Sequence, residues 1–236
     1  MDSKGHPRRI AIVPARGGSK RIPRKNIREF CGRPMIAHIL DAAQTSGLFS
    51  AIHVSTEDVE IAEVVARLGH GVQFMRPAHL ADDHTGIMPV LHHVLATFKD
   101  RGQTFDQVVS LMACAPLITA NDLIEAARLF DSLGGTTPLL TIAPYPAPVE
   151  WAFHRESTGH LIPVQPGAFA IRSQDLRPAY YDAGAFAFFP SAAVLGNSVG
   201  SDQGFVGYPL ARTKAVDIDN LEDWALAETI FRGQNA

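Results

Sequence analysis

The stretch IAIVPARGGSKRIPRKNI (Ile10–Ile27) joins an apolar run to two glycines and then to a burst of positive charge. Its first residues, Ile10–Pro14, predict a short buried strand. Six cations fall within thirteen residues, and the first acid after them is Glu29. They are Arg16, Lys20, Arg21, Arg24, Lys25 and Arg28. Open α/β sheets bind ligands beyond the carboxyl ends of their strands, so this loop is placed to receive an anion.

The glycine pair suits a loop that cradles phosphates. Gly17 and Gly18 let backbone N–H groups approach a ligand closely and form an anion nest. Lysine and arginine supply charge and forked donors for phosphate oxygens. The order GGSK, with Ser19 and Lys20, does not match a Walker A loop, and the stretch is not a GxGxxG motif. We expect a triphosphate cradle; the alternative is an ordinary solvated loop.

Strand-like and helix-like patterns alternate along the chain. The predicted strands are Ile10–Pro14, Ala51–Thr56, Val72–Met75, Val108–Met112, Leu139–Ala143, Ala185–Phe189 and one ending at Asp217. The predicted helices are Pro34–Thr45, Val59–Leu68, Ile87–Phe98, Asn121–Leu133 and Leu221–Phe231. Trp224, Ala227 and Ile230 should share one face of the last helix. This alternation predicts an α/β fold with a doubly wound, mainly parallel sheet.

The alternation fails between Pro144 and Asp182, where proline and aromatic residues are frequent. We interpret 144–182 as an insertion or subdomain within one domain that spans residues 1–236. No apolar run approaches the length of about 20 residues that a membrane span requires. The N-terminal residues lack the apolar core of a signal peptide, so we expect a cytoplasmic protein.

Charge and cysteine content exclude several kinds of partner. The net charge is −3 and the pI is about 6.3, and without the six loop cations fifteen basic residues face twenty-four acids. Nucleic-acid binders usually carry broad basic faces, so a small, highly charged anion is the better ligand. The two cysteines, Cys31 and Cys114, form no CxxC or zinc pattern and are expected to be buried free thiols.

A pair of carboxylates near the C-terminus could complement the basic loop. Asp217 and Asp219 stand two residues apart in VDIDNLEDW (Val216–Trp224). In an extended segment that spacing puts both side chains on one face, where they could share Mg²⁺ with substrate phosphates. The alternative is local, because Asp219 or Asn220 could simply cap the helix that begins at Leu221.

Four stretches together resemble the cytidylyltransferases that activate acidic sugars, the family of the sialic acid synthetases. They are IAIVPARGGSKRIPRKNI, RPAHLADDHTG (Arg76–Gly86), RSQDLRPAYYDAGAF (Arg172–Phe186) and VDIDNLEDW. The resemblance covers nearly the whole chain and is closest to the pseudaminic acid branch. It implies a Rossmann-like nucleotidyltransferase fold with a small dimerisation subdomain, which would be the irregular segment 144–182, and it implies a homodimer.

The resemblance also implies a reaction. CTP and a nine-carbon 2-keto sugar acid, which in this branch is pseudaminic acid, would give a CMP-sugar and pyrophosphate with Mg²⁺ as cofactor. The anomeric hydroxyl would attack the α-phosphorus. An enzyme for sialic acid or another sugar acid of this class is the alternative. A catalytically silent nucleotide-binding protein is the alternative outside enzymes.

Site residues follow from the resemblance by position. Arg16, Lys20 and Lys25 would hold the triphosphate and the leaving pyrophosphate, and Asp217 and Asp219 would hold the metal. The remaining nucleotide contacts would come from Ala15, Gly17, Ser19, Asn26 and Met112. Sugar contacts would come from Asp83 and Thr85, and sugar or dimer contacts would come from Arg172, Gln174 and Tyr181. For Asp83 and Thr85 the alternative is that they only help to start the following helix.

The chain departs from the family pattern in two places. Sialic acid enzymes carry a glutamine where Met112 stands and usually a threonine where Cys114 stands, so a side-chain amide that could read cytosine is missing. Ala185 and Ala187 replace larger residues expected in the pseudaminic branch. They are therefore expected to make the sugar pocket roomier or less polar.

Overall fold

A computed structural model of the chain describes residues 7–199 and 204–234. Its strands are β1 (Arg9–Pro14), β2 (Glu29–Phe30), β3 (Arg33–Pro34), β4 (Ala51–Ser55), β5 (Gln107–Leu111), β6 (Leu139–Pro144), β7 (Phe153–Arg155), β8 (Leu161–Pro163), β9 (Tyr180–Pro190) and β10 (Val206–Pro209). Its helices are α1 (Met35–Ser46), α2 (Val59–Arg67), α3 (Ile87–Asp100), α4 (Ala120–Ser132), α5 (Ser191–Leu195) and α6 (Leu221–Gln234). Within these residues no helix is both long and apolar enough to cross a bilayer.

The main sheet has six strands in the order β10-β6-β9-β5-β1-β4. Strand β1 pairs in parallel with β4 and with β5, and β10 pairs in parallel with β6. Strand β9 is antiparallel to both of its neighbours, β5 and β6. The predicted α/β fold with a mainly parallel sheet is therefore confirmed, with one reversed strand near its centre.

Helices cover both faces of this sheet. Ala11 and Val13 of β1 face a cluster that includes residues of α1, α2 and α4, whereas Ile10 and Ile12 face a cluster with α3 and α5. All four side chains are fully buried. A strand that is covered on both faces must be apolar throughout, which explains the unbroken run IAIV.

The connection between β6 and β9 explains why β9 runs antiparallel to its neighbours. A parallel return would need a crossover connection, usually a helix. The segment between β6 and β9 holds instead the β7–β8 hairpin and the short 3₁₀ turns Val149–Trp151, Ala168–Ala170 and Ser173–Asp175. The chain therefore comes back beside β6 in the opposite direction, and the irregular segment ends at Ala179, because Tyr180–Asp182 already belong to β9.

Two predicted strands are absent from the described residues. Val72–Met75 forms no ladder; its Phe74 ring instead stacks on His53 of β4, with 4.3 Å between ring centroids. The predicted strand ending at Asp217 is also wrong. Leu210 makes the last bond to β6, through Ile142 O at 2.8 Å, and the chain then leaves the sheet.

Helix α6 closes a third, smaller cluster beneath the basic loop. Trp224 and Ala227 are buried there and Ile230 is partly buried, as predicted for one face of this helix. Ile22 from the basic loop and Ile218 from the carboxylate segment are fully buried in the same cluster. The basic loop and the two aspartates are thus fixed to one another through a shared apolar base.

Candidate active site

A cleft of about 530 Å³ opens at the carboxyl ends of β1 and β5. The residues that line it come from the basic loop, from the segment 76–90, from the turn after β5 and from Asp219. They are Pro14, Arg16, Ser19, Lys20, Arg21, Lys25, Asn26, Arg76, Leu80, Asp82, Asp83, Thr85, Gly86, Ile87, Val90, Met112, Ala113, Cys114 and Asp219. The site therefore occupies the edge of the sheet at which the sequence predicts an anion.

The six loop cations divide into two groups. Arg16, Lys20, Arg21 and Lys25 line the cleft, whereas Arg24 and Arg28 do not. The Arg24 guanidinium pairs with Asp58, and the Arg28 guanidinium lies 5.2 Å from the centre of the Trp224 ring. Four loop cations therefore face the cleft, and two hold the loop to the rest of the protein.

Asp83 is the partner of two of the cleft cations. Arg16 Nη1 lies 2.6 Å from Asp83 Oδ1, and Lys20 also pairs with this carboxylate. These hydrogen bonds, from Lys20 first and then from Arg16, lower the pKa of Asp83. A negative group of the protein itself thus sits where the cations converge.

The neighbouring Asp82 shapes the turn before α3. Its Oδ1 accepts hydrogen bonds from the backbone N–H groups of His84 at 2.8 Å and Thr85 at 2.6 Å. Helix α3 starts one residue after Gly86, which provides no side-chain cap. Asp82 therefore holds the turn that leads to the helix, while Asp83 and Thr85 face the cleft.

The two C-terminal aspartates stand differently toward the cleft. Asp219 lines it, 2.8 Å from the Arg21 guanidinium and 3.7 Å from Lys25 Nζ. Lys25 also donates to Ile218 O at 2.6 Å. Asp217 does not line the cleft, and its pKa is raised, first by burial among neighbouring atoms and then by the charge of Asp219.

Helix capping does not occupy these two carboxylates. Asn220 Oδ1 accepts from the backbone N–H groups of Glu222 at 2.8 Å and Asp223 at 3.1 Å, so Asn220 caps α6. Asp223 in turn accepts from the backbone N–H of Asp219 at 2.9 Å. Capping by Asn220 is thus confirmed, and neither the Asp217 nor the Asp219 side chain is used for it.

This donor set fits a metal ion that is shared with a bound phosphate. Mg²⁺ is commonly held by one or two carboxylates together with substrate phosphates and water. Burial and the charge of Asp219 raise the pKa of Asp217, which means that both disfavour its ionised form. A divalent cation bound to the two carboxylates would stabilise that ionised form. Within residues 7–199 and 204–234 no cluster of three or more His, Cys, Asp or Glu could hold a metal unaided.

The other predicted nucleotide contacts vary in position. Ser19, Asn26 and Met112 line the cleft, and the Asn26 amide donates to Arg16 O at 3.0 Å. The Ala15 side chain is fully buried in the core, and Gly17 is not part of the cleft lining. The N–H of Gly17 donates to Glu57 at 2.8 Å and so is engaged within the protein.

Three predicted sugar contacts lie outside the cleft. Arg172 is exposed and pairs with Asp175 at 2.8 Å, and Gln174 is exposed beside it. Tyr181 lines a separate open depression next to α6 and packs on Tyr145. Within the described part of one chain, these residues therefore do not meet Asp83 and Thr85 at one site.

The expectation for Ala185 and Ala187 is wrong for this cleft. Ala185 is buried and Ala187 is half-buried, and both lie within β9 in the interior of the sheet. Neither residue lines the cleft. Their small size therefore serves packing between β9 and its neighbours and does not enlarge the pocket.

Arg76 is a cleft residue that the sequence analysis did not single out. It is only 7% exposed, and its Nε donates to Ser55 Oγ at 3.1 Å. Burial lowers its pKa. The available signal was its position at the head of the stretch RPAHLADDHTG, but nothing in that stretch distinguishes a buried arginine from an exposed one.

Comparisons with known proteins agree with this architecture. The cytidylyltransferase family model matches residues 10–129. A pseudaminic acid cytidylyltransferase of Campylobacter jejuni is 34% identical over 229 residues, which cover 94% of this chain and 96% of that protein. A CMP-N,N'-diacetyllegionaminic acid synthase of Legionella pneumophila is 29% identical over 234 residues, covering 94% and 95%.

Among solved structures, a CMP:2-keto-3-deoxy-manno-octonic acid synthetase complexed with CTP superposes with a TM-score of 0.73. The superposition covers 96% of this chain and 99% of that one at 15% identity, so it bears on the fold alone. The family model spans half of the chain, and the Campylobacter relative aligns along almost all of it. The chain therefore belongs to the cytidylyltransferase family.

Proposed function

We propose that the protein transfers CMP from CTP to the anomeric hydroxyl of a nine-carbon 2-keto sugar acid, pseudaminic acid, and releases pyrophosphate. In this reaction a bond forms between the sugar oxygen and the α-phosphorus. The bond from that phosphorus to the oxygen bridging it to the β-phosphorus breaks, and the hydroxyl loses its proton. The observation that carries the proposal is the convergence of four loop cations and Asp219 in one cleft of a cytidylyltransferase.

The cations are assigned to the phosphates. Arg16, Lys20 and Lys25 would bind the triphosphate and stabilise the charge that develops on the leaving pyrophosphate. Such prearranged charge is usually the largest single contribution to catalysis. Ser19, Asn26 and Met112, which line the same cleft, would contact the nucleotide. Ala15 and Gly17 would lie beside the nucleotide without donating to it, because the Ala15 side chain is buried in the core and the N–H groups of both residues already bond within the protein.

Asp217 and Asp219 are assigned to Mg²⁺. The ion, when bound, would neutralise phosphate charge and favour departure of pyrophosphate. Changing either aspartate to asparagine should lower turnover by about 100-fold or more while the protein stays folded. Steady-state kinetics at saturating Mg²⁺, with circular dichroism as the folding control, make this test. Full activity of both single variants would contradict the metal role.

We further infer that the protein is a homodimer that uses the irregular segment. Its apolar side chains are unusually exposed, among them Leu161 at 57% and Phe169 at 64%. Clusters of exposed apolar side chains typically mark an interface, which motivates this inference. Arg172 and Gln174 lie away from the cleft of their own chain, so a role in sugar binding would require the cleft of a partner. The cytoplasmic location stays a prediction.

The sugar is identified by comparing acceptors. Pyrophosphate release would be measured with CTP and, in turn, pseudaminic acid, N,N'-diacetyllegionaminic acid and N-acetylneuraminic acid. We expect the highest kcat/KM with pseudaminic acid. The reason is that a site that hydrogen-bonds a particular substituent strongly rejects analogues that lack it. A higher value with another acid would reassign the sugar but keep the reaction. CTP binding without turnover of any acid would favour the silent nucleotide-binding protein.

The cradle is tested separately from the sugar. Arg16→Ala and Lys20→Ala should lower kcat/KM for CTP strongly, because each removes charge beside the phosphates. The ranking of sugar acids should not change. Unaltered kinetics in both variants would mean that the loop is only solvated surface.

A further inference from the structure

Two acidic residues that follow β4 contact the basic loop at separate points. Glu57 accepts a hydrogen bond from the N–H of Gly17 at 2.8 Å, near the start of the loop. Asp58 binds Arg24 with both carboxylate oxygens, at 2.6 Å from Nη1 and 2.9 Å from Nη2. A bidentate pair of this kind fixes orientation as well as distance. The loop is therefore held at both ends by one short acidic segment.

Arg24 has a backbone conformation that needs support. Its φ is +57°, in the left-handed region that residues other than glycine rarely adopt. Its carbonyl oxygen accepts from the N–H groups of Ile27 and Arg28, both at 2.9 Å, so the turn that follows depends on this conformation. The next residue is Lys25, whose side chain enters the cleft. The direction of Lys25 thus follows from the conformation of Arg24.

Asp58 is itself firmly placed. Its Oδ1 caps α2 by accepting from the N–H of Ile61 at 3.0 Å. The hydrogen bonds from Arg24 lower its pKa to about 2, so the carboxylate is ionised at every pH near neutrality. It also lies against Gly17, where an added Cβ would clash with Asp58 Oδ2. The start of the loop is therefore packed directly on the same carboxylate.

We propose that Arg24 and Asp58 are positioning residues for cytidylyl transfer, which hold the basic loop in the shape that turns Arg16, Lys20 and Lys25 toward the triphosphate. This inference rests on the proposed function and adds to it a division of labour among the loop cations. Arg24 does not line the cleft; its guanidinium pairs with Asp58 and also with Glu60. Misplacing reactive groups by about 1 Å can cost about 100-fold in rate. Loss of the Arg24–Asp58 pair, which we call the clamp, should therefore weaken the contacts of the loop cations with the phosphates.

Three variants test the proposal in the full-length protein: Arg24→Gln, Asp58→Asn and the double variant. Asparagine preserves the helix cap, so Asp58→Asn breaks chiefly the ion pair. Isothermal titration would give the dissociation constants for CTP and for CMP. We expect each single variant to bind CTP about tenfold or more weakly, the double variant to resemble the single ones, and CMP affinity to change little.

The alternative that Arg24 binds phosphate directly gives a different pattern. Asp58→Asn would then leave Arg24 with Glu60 as its remaining partner and CTP affinity unchanged or higher, and that result would overturn the proposal. Arg24→Lys adds a second distinction, because lysine keeps the charge but lacks the fork. A positioning role predicts that Arg24→Lys does not restore CTP affinity, and restored affinity would also overturn it.

The controls separate fold, clamp and function. Arg33 pairs with Asp41 away from the cleft, so Arg33→Gln removes a comparable surface ion pair and should leave CTP affinity unchanged. If the clamp variants only lower the unfolding temperature and bind CTP like the wild type, the pair is structural and the proposal fails. If the wild type itself does not bind CTP, the proposed function fails first and this inference with it.

Discussion

Asp83→Asn should make CTP bind more tightly, although it removes a residue from the candidate active site. Arg16 and Lys20 both form ion pairs with this carboxylate. A triphosphate must take over these two cations and also approach a negative group. Replacing the carboxylate by an amide removes both obstacles and leaves the cations in place.

The size of the effect follows from exposure. The side chains are 39% exposed for Arg16, 81% for Lys20 and 38% for Asp83, so these are surface ion pairs. Each such pair changes an equilibrium constant by about 1.4-fold to fivefold. Two pairs together give a gain of about twofold to 25-fold in CTP affinity. The gain should shrink at high ionic strength, because salt screens exposed charges.

The assay is a calorimetric titration of CTP without sugar, at low salt and at high salt. Asp41→Asn is the matched control, since it removes a carboxylate that pairs with an arginine away from the cleft. Weaker or unchanged CTP binding in Asp83→Asn would refute the reasoning. A role of Asp83 in sugar binding would appear separately, as a higher KM for the sugar acid in turnover assays.

Three further predictions concern other parts of the molecule. Lys214 Nζ lies 2.6 Å and 2.8 Å from the two Asp122 carboxylate oxygens and so ties the segment that carries Asp217 and Asp219 to α4. Lys214→Met should therefore raise the Mg²⁺ concentration needed for half-maximal turnover severalfold. An unchanged Mg²⁺ titration would contradict this. Burial lowers the pKa of His53 to about 4, so the folded state resists protonation and stability should fall by about 2 kcal/mol from pH 7.5 to pH 5. Urea unfolding should show this loss in the wild type and not in His53→Phe; an equal loss in both would exclude His53 as its source. Phe169→Glu should give a monomer by sedimentation with CTP affinity retained, and an intact dimer would exclude this surface.

Most of the sheet could be predicted because local patterns carried the information. The strands that are covered on both faces are continuous apolar runs, and the amphipathic helices α1, α3 and α4 begin and end within two residues of their predicted bounds. The direction of β9 could not be predicted in this way, because it depends on how a 35-residue excursion, from Tyr145 to Ala179, returns to the sheet. Val72–Met75 has strand composition but uses Phe74 for packing on His53.

The candidate site was predictable where its residues are neighbours in sequence. The basic loop contains four of the cleft cations, and the position of the loop after β1 identifies the edge of the sheet. Three other features depend on contacts between segments that are distant in sequence. They are the pairing of Asp83 with this loop, the burial of Arg76, and the pairing of Arg24 with Asp58 away from the cleft. Spacing alone treats the six cations as equal, whereas their partners in the fold make them different.

The reversed strand also has a consequence for how the protein is made. In the described sheet β9 is the strand that joins the β5-β1-β4 half to the β6-β10 half. During synthesis, β1, β4 and β5 can pair as soon as residue 111 has emerged from the ribosome. Strand β6 has no β9 to pair with until the chain reaches residue 190, and until then its edge is exposed. Exposed strand edges in incomplete chains invite association with other chains. The interval between β6 and β9 is thus the vulnerable period of biosynthesis, and chains truncated within it should aggregate more readily than chains that end after β9.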